Sequence, residues 1–394
     1  MQFIKDHKRM MVFISVSLLA LGIRYFLLPF ESYDYKHFLL PWFEQLKGFG
    51  GLPGLKYDIG NYAPPYLTIL ALLTYLPVGS IYSIKFVSIL FDFVSAVAAA
   101  KIVLALGNEH NKKTEWLAVA AYTVVLMLPT VVVNSAMWGQ CDGIYCAFLM
   151  LCVLYIIKER HFKAFVFFGL ALAFKLQAVF LLPALAIYWL RTKKFSLKYF
   201  LLIPAVWAVS LAPAIVAGRP LSQTAGIYFG QAASNTENLS NHYPNFSVLL
   251  KDVDVSLFTI LLTLFTMAVL LAFLIVLQKK KFNPSGIDFV GICVWCAFVC
   301  VMFLPGMHER YAYIVEVLSV VYMMVRRGQW VLAAGINAVG AGAYITLKFY
   351  IVNALLYLSI ANLLLFCVFT FQIFRSFFLE TANAVQIKAQ DESL

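Results

Sequence analysis

Apolar residues along this chain come in long blocks separated by short polar clusters. Blocks of spanning length fall at about 10–28, 83–106, 116–135, 143–157, 197–217, 256–278, 286–305, 311–325, 329–346 and 352–374. A helix crosses a hydrocarbon core of about 30 Å with roughly 20 apolar residues, so each block predicts a transmembrane helix. Two regions resist that assignment. Pro64 to Val78 is short, and its Pro64-Pro65 suits a helix start whether or not the helix crosses. Phe162 to Leu190 is long for one span and short for two.

Positive charge in the short loops decides between the options, because cytoplasmic loops retain Lys and Arg. Lys5, Lys8 and Arg9 are placed inside, and 64–78 stays on the outer side as a re-entrant or interfacial helix. Successive spans then bring Lys112 and Lys113, and next Lys158, Arg160 and Lys163, to the cytoplasm. A hairpin of two short helices over 162–190, turning near Lys175, keeps Arg191, Lys193, Lys194 and Lys198 inside, as are Lys279 to Lys281, Arg326, Arg327, Arg375 and Lys388. Making 64–78 a span would invert every later loop. The expectation is one transmembrane domain over 1–394 with about 12 spans and both termini cytoplasmic. Its long outer loops are 29–82 and 218–256, and 376–394 is a cytoplasmic tail.

Composition agrees. At 62% hydrophobic and 12% charged residues, with a mean hydropathy of +0.85, the chain has too little polar surface to clothe a soluble globule. Met10 to Leu28 lacks a small-residue cleavage pattern and reads as an uncleaved span. The net charge of +11 lies in clusters that topology itself demands, which argues against nucleic acid as a partner. Six cysteines (Cys146, Cys152, Cys293, Cys296, Cys300, Cys367) lie in apolar runs and Cys141 at a membrane edge, so no disulfide framework follows. Cys293 and Cys296 have no second pair to complete a metal site.

With this topology, every polar constellation other than a Lys/Arg cluster or a tail falls outside. The first outer loop carries Glu31, Asp34, Lys36 and His37, then Phe38, Leu39, Trp42, Phe43 and Leu46, an amphipathic stretch expected to lie flat on the bilayer, then Asp58, Asn61 and Tyr62. Trp138-Gly-Gln140-Cys-Asp142, Lys175-Leu-Gln177 and His308-Glu309-Arg310-Tyr311 follow. From Lys163 to Lys175 a helix rises only about 18 Å, so Lys175 is expected in a recessed cavity with an anionic partner; the alternative is a lysine snorkelling to headgroups. His308-Glu309-Arg310 sets a fixed cation beside an imidazole, a grip for phosphate oxygens or a headgroup anchor. Asp142 serves equally as helix cap or site residue. Asp92, Lys101 and Glu316 fall inside spans and are expected to face the bundle interior, where an ion pair would ease their burial.

Glu31-Ser-Tyr-Asp34-Tyr, Asn61-Tyr62-Ala-Pro-Pro, Asn134-Ser-Ala-Met-Trp-Gly-Gln-Cys-Asp142, Phe174-Lys-Leu-Gln177 before Pro183, and Met307-His-Glu-Arg-Tyr311 together resemble bacterial GT-C glycosyltransferases. More narrowly they resemble relatives of the GPI-anchor second mannosyltransferase, over about 10–350; His242-Tyr-Pro-Asn245-Phe matches an Asn-rich patch of that group only loosely. The resemblance implies an all-α polytopic GT-C fold and an inverting transfer from a polyprenyl-phosphate (undecaprenyl-phosphate) sugar to a cell-envelope glycan or glycolipid. The first outer loop would supply the catalytic aspartate, Asp34, above a cavity that admits the lipid carrier sideways. Lys175, Gln177, His308, Glu309, Arg310 and Tyr311 would meet the donor, and Glu31, Asp58, Asn61, Tyr62, Trp138, Gln140, Asp142 and Asn245 the substrates. A divalent ion between Asp34 and Asp142 belongs to the wider superfamily, and a cofactor-free reaction is the preferred expectation. The implied location is a bacterial plasma membrane with the site on the outer face.

A lipid-linked sugar flippase or other secondary transporter is the rival from another class, since many spans and an intramembrane lysine suit one. The halves show no convincing repeat and the motifs gather at one edge, which favours an enzyme. A polysaccharide ligase or polymerase would call for several arginines in the large outer loop, and 218–256 carries only Arg219.

Overall fold

The computed structural model describes the backbone of residues 2–107, 111–234, 238–278, 284–326 and 328–391, and the side chains of 7–107, 111–231, 238–278, 284–326, 328–351 and 353–377. Lys5, Lys279 to Lys281, Arg327 and Lys388, used above for orientation, lie outside the described side chains. In chain order the helices are α1 Gln2–Leu27, α2 Leu40–Gly48, α3 Pro64–Leu73, α4 Ser80–Leu106, α5 Lys112–Met127, α6 Pro129–Trp138, α7 Asp142–Ile157 and α8 His161–Phe174. They continue as α9 Leu182–Thr192, α10 Leu197–Val216, α11 Leu221–Ser234, α12 Val255–Gln278, α13 Gly286–Phe303, α14 Tyr313–Val325, α15 Trp330–Phe349 and α16 Val352–Asp391. Strands β1 Ser240–Asn241 and β2 Met307–His308 pair in parallel.

Among the described residues, seven helices are long and apolar enough to cross a membrane: α1, α4, α10, α12, α13, α15 and α16. An eighth is α5 with α6, bent by 50°. The bend has a local cause, since Pro129 disfavours a helical Leu128, which adopts φ −54 and ψ 131. Four shorter apolar segments, α7, α8, Leu176–Thr192 and α14, would bring the total to the expected figure. α3 starts at Pro64-Pro65 and rises only about 15 Å, half a hydrocarbon core.

The chain divides into two compact units, Met1–Val179 with Ser196–Asn235, and Phe180–Phe195 with Thr236–Leu394. In the first, α4 packs on α5 and α7, α7 on α8, and α8 on α10. The middle of the buried face of α4 is rich in small or polar residues (Ser88, Asp92, Ser95, Ala96, Ala99), which lets neighbouring backbones approach closely. Asp92 is fully buried and receives the Arg24 guanidinium through Nε at 3.0 Å and Nη2 at 2.8 Å, so the ion pair expected for it is present. Lys101 differs from expectation: it is exposed near the end of α4 rather than turned inward.

The amphipathic stretch of the first loop also differs. Trp42, Phe43 and Leu46 of α2 pack with Leu55, Leu67 and Leu70, so the face expected on lipid is buried within the protein, with Phe38 left exposed. Each such side chain contributes roughly 1.5–3 kcal/mol by burial, enough to make the loop a small folded layer. In the second unit α13 is the centre, buried along its length and flanked by α9, α12, α14 and α16. Glu316 of α14 is buried as expected, and Gly340 of α15 leaves room for its carboxylate, where a Cβ would collide.

Candidate active site

In the first unit the site is built where α1 ends. Lys85, near the start of α4, is buried and gives its ammonium to the carbonyls of Leu28 at 2.9 Å and Phe30 at 2.6 Å. A cation at the C-terminus of α1 meets the negative end of its dipole and fixes where the first loop departs. Ser32 then donates to the Trp138 carbonyl at 2.8 Å and accepts the Tyr35 N–H at 3.0 Å, capping the helical turn that carries Asp34. Sequence reasoning assigned neither residue. A lysine five residues into an apolar helix was the available signal for Lys85.

Asp34 is half-buried, and its carboxylate accepts the amide nitrogen of Gln140. The Gln140 oxygen accepts the Tyr62 hydroxyl at 2.7 Å, which fixes the orientation of that amide. Gln140 reaches this place because Gly139, at φ +72, ends α6 in the left-handed region and turns the chain back. Trp138, Gln140, Tyr62 and Asp34 are thereby brought together. Tyr62 continues an aromatic wall, 5.1 Å from the Trp42 ring and 5.3 Å from Tyr66.

Asp142 heads α7, fully buried, and its two oxygens are engaged separately. Oδ1 takes Lys175 and Oδ2 takes Asn134 at 3.0 Å. Lys175 is buried at the break after α8, so the recessed lysine with an anionic partner is what the structure contains. This occupancy does not fit a divalent ion shared by Asp34 and Asp142, because an ammonium already stands against Asp142. Among the described residues no group of three or more His, Cys, Asp or Glu is arranged for a metal. Gln177 is buried in the turn beyond Lys175.

Other first-loop residues have different surroundings. Glu31 is exposed and pairs with Lys36 at 3.1 Å. Asp58 is exposed but holds the buried Arg219, and the Asn61 carbonyl accepts Gln231 at 2.5 Å, so 58–61 is pinned by the segment after α10. Beside the loop, α1, the end of α3 and α4 enclose an apolar cavity of about 1070 Å³ walled by Tyr25, Leu28, Leu73, Tyr82 and Phe86.

In the second unit, Glu309 is buried and takes Arg310 Nη1 at 2.7 Å, with His308 Nδ1 at 3.8 Å from its other oxygen. The His308 ring lies 4.9 Å from Tyr311. This loop is held by 239–243: Gly306 N–H donates to the Leu239 carbonyl at 3.0 Å, and β1 pairs with β2. Asn245 is fully buried; it accepts the Ser247 N–H and donates to the Val301 and Leu304 carbonyls, the contacts of a residue that shapes its loop.

No protein-family model matches the sequence, and no curated protein matches it. Among solved structures the chain is similar to the crystal structure of ArnT from Cupriavidus metallidurans bound to undecaprenyl phosphate, at 12% identity and a TM-score of 0.56, covering 90% of this chain and 75% of that one. The apo crystal structure of the same protein aligns at 12% identity with a TM-score of 0.45, over the same shares. The bound-state likeness, with the apolar helices, shows an all-α polytopic membrane protein of GT-C type.

Proposed function

We propose, from a GT-C fold as premise, that the chain is a membrane glycosyltransferase moving a single sugar from a polyprenyl-phosphate carrier to a cell-envelope glycan or glycolipid. The observation that carries this reading is Asp34, a half-buried carboxylate oriented by Gln140 and Tyr62, with Tyr62 continuing into an aromatic wall of Trp42 and Tyr66. The fold neighbour crystallised with undecaprenyl phosphate supports a lipid-phosphate carrier, and the apolar cavity of about 1070 Å³ has the volume for a stretch of prenyl chain. The narrower kinship with the GPI-anchor second mannosyltransferase is supported by motif order alone. The orientation proposed is both termini cytoplasmic and Asp34 on the outer face of a plasma membrane.

In the proposed step the acceptor hydroxyl oxygen bonds to the anomeric carbon from the face opposite the phosphate, and the bond from that carbon to the phosphate oxygen breaks. The hydroxyl proton passes to Asp34, which must therefore be ionised, and polyprenyl phosphate leaves as an anion. Donation from Gln140 favours the ionised carboxylate and holds it in one rotamer. The departing phosphate anion calls for cations, a role that the motif resemblance gives to Arg310, Lys175 and His308.

The test is radiolabelled sugar transfer by the purified protein, with a panel of undecaprenyl-phosphate sugars and cell-envelope acceptor extracts. Asp34→Asn should lower turnover by roughly 10²–10⁴ while leaving donor binding within about twofold. Normal turnover by Asp34→Asn would remove Asp34 as base. Tight donor binding without transfer by the wild-type protein would replace the enzyme with a carrier.

A further inference from the structure

At the end of the first unit remote from Asp34 lies a second cavity, of about 630 Å³, where α1 and α5 begin and α4 and α7 end. Its charged lining is Arg9, Lys101, Lys158, Arg160 and Glu115, with Tyr122 and Tyr155 beside them. Among the described residues, four cations face one carboxylate there, a formal charge of +3, and the carboxylate is already paired with Arg9. Among the described residues no carboxylate pairs with Lys101, Lys158 or Arg160.

Backbone geometry brings these charges together. α7 ends at Ile157, and Glu159 adopts φ +54. The Arg160 N–H then reaches back to the Tyr155 carbonyl at 2.8 Å. That left-handed turn carries both Lys158 and Arg160 to the cavity. Lys101 approaches from α4, where an apolar run otherwise gives a cation no reason to be. Beyond the two tyrosines the walls are apolar, chiefly Phe13, Leu104 and Leu151. Leu151 is two turns from Lys158, so the cavity passes from cationic to apolar over about 10 Å along the helices.

A soluble anion would use only the cationic part of this gradient, and an acyl chain only the other. We propose that the cavity binds an anionic phospholipid, with its phosphodiester headgroup on Lys101, Lys158 and Arg160 and its proximal acyl carbons against Phe13, Leu104 and Leu151. Basic pockets between transmembrane helices recognise anionic headgroups in this way. A zwitterionic choline headgroup carries its own cation and meets repulsion from the uncompensated charge. The site lies about 24 Å from Asp142, the length of α7, and takes a ligand separate from the sugar donor.

The full-length protein, purified and delipidated in detergent, is titrated with dioleoylphosphatidylglycerol, dioleoylphosphatidylcholine or inorganic phosphate, reading bound lipid by native mass spectrometry and thermal midpoint by tryptophan fluorescence. The expected result is an affinity for phosphatidylglycerol at least about tenfold above phosphatidylcholine, no shift with phosphate, and loss of the preference in Lys101→Gln/Lys158→Gln/Arg160→Gln. Lys101→Gln alone replaces an exposed side chain and should lose about threefold, which keeps the test open if the triple variant fails to fold. Equal binding of phosphatidylglycerol by wild type and variants overturns the site. A phosphate response matching that of phosphatidylglycerol overturns the lipid as occupant.

Discussion

Gln140 donates its side-chain amide to the carboxylate of Asp34 while its own oxygen is held by Tyr62. An amide locked from behind in this manner supports an ionised aspartate and is itself neutral. Gln140→Glu replaces it with a like charge, which disfavours ionisation of Asp34 and raises its pKa. A base that works ionised then loses activity from higher pH downward. The acid limb of the transfer-rate profile should move to higher pH in Gln140→Glu, with the rate above it recovering. Tyr62→Phe, which removes only the rear support, should lower turnover by about threefold to tenfold without moving that limb.

Asp142 and Lys175 form a buried pair, and breaking one side leaves the other charge without compensation. Asp142→Asn and Lys175→Met should each destabilise by about 3–5 kcal/mol, and the double variant by clearly less than their sum. Thermal unfolding in detergent, followed for all four proteins, reads the coupling. Additive losses would show that the pair does not interact.

Much of the fold was legible because a bilayer imposes a simple rule on length and hydropathy, and the break at Lys175 followed from helix rise against core thickness. The fate of α2 was not legible. Trp42, Phe43 and Leu46 have the spacing of a helix that lies on lipid, and spacing alone does not distinguish lipid from a neighbouring protein surface supplied by Leu67 and Leu70. Lys101 failed for a related reason, since a lysine near a helix end has enough reach to leave the bundle interior. The Asp34 neighbourhood was legible as a set of motifs but not as a network. Nothing in the spacing of Tyr62 and Gln140 says that one orients the other.

Arg219 is buried, yet its carboxylate partner Asp58 stands exposed, so the guanidinium works as a pin for the first outer loop. Gln231 pins the same loop at the Asn61 carbonyl. Arg219→Ala should leave the helices intact and increase amide exchange over 56–62 by about tenfold or more, read by hydrogen–deuterium exchange, because local opening then lacks one of its two restraints. Turnover should fall through Tyr62 rather than through Asp34 chemistry, leaving the pH profile in place.

Arg310 shares the buried Glu309 with His308, donating to it through Nη1 at 2.7 Å. A planar fork grips phosphate oxygens two at a time, whereas an ammonium offers only a point charge. Arg310→Lys should therefore retain part of the function and Arg310→Ala should not. The expected loss in turnover is roughly tenfold for lysine and 10²–10³ for alanine, measured in the sugar-transfer assay with saturating donor. If charge alone mattered, lysine would restore the rate fully. If Arg310 only anchored its loop, both variants would lose thermal stability in proportion to rate, which unfolding of the same preparations would show.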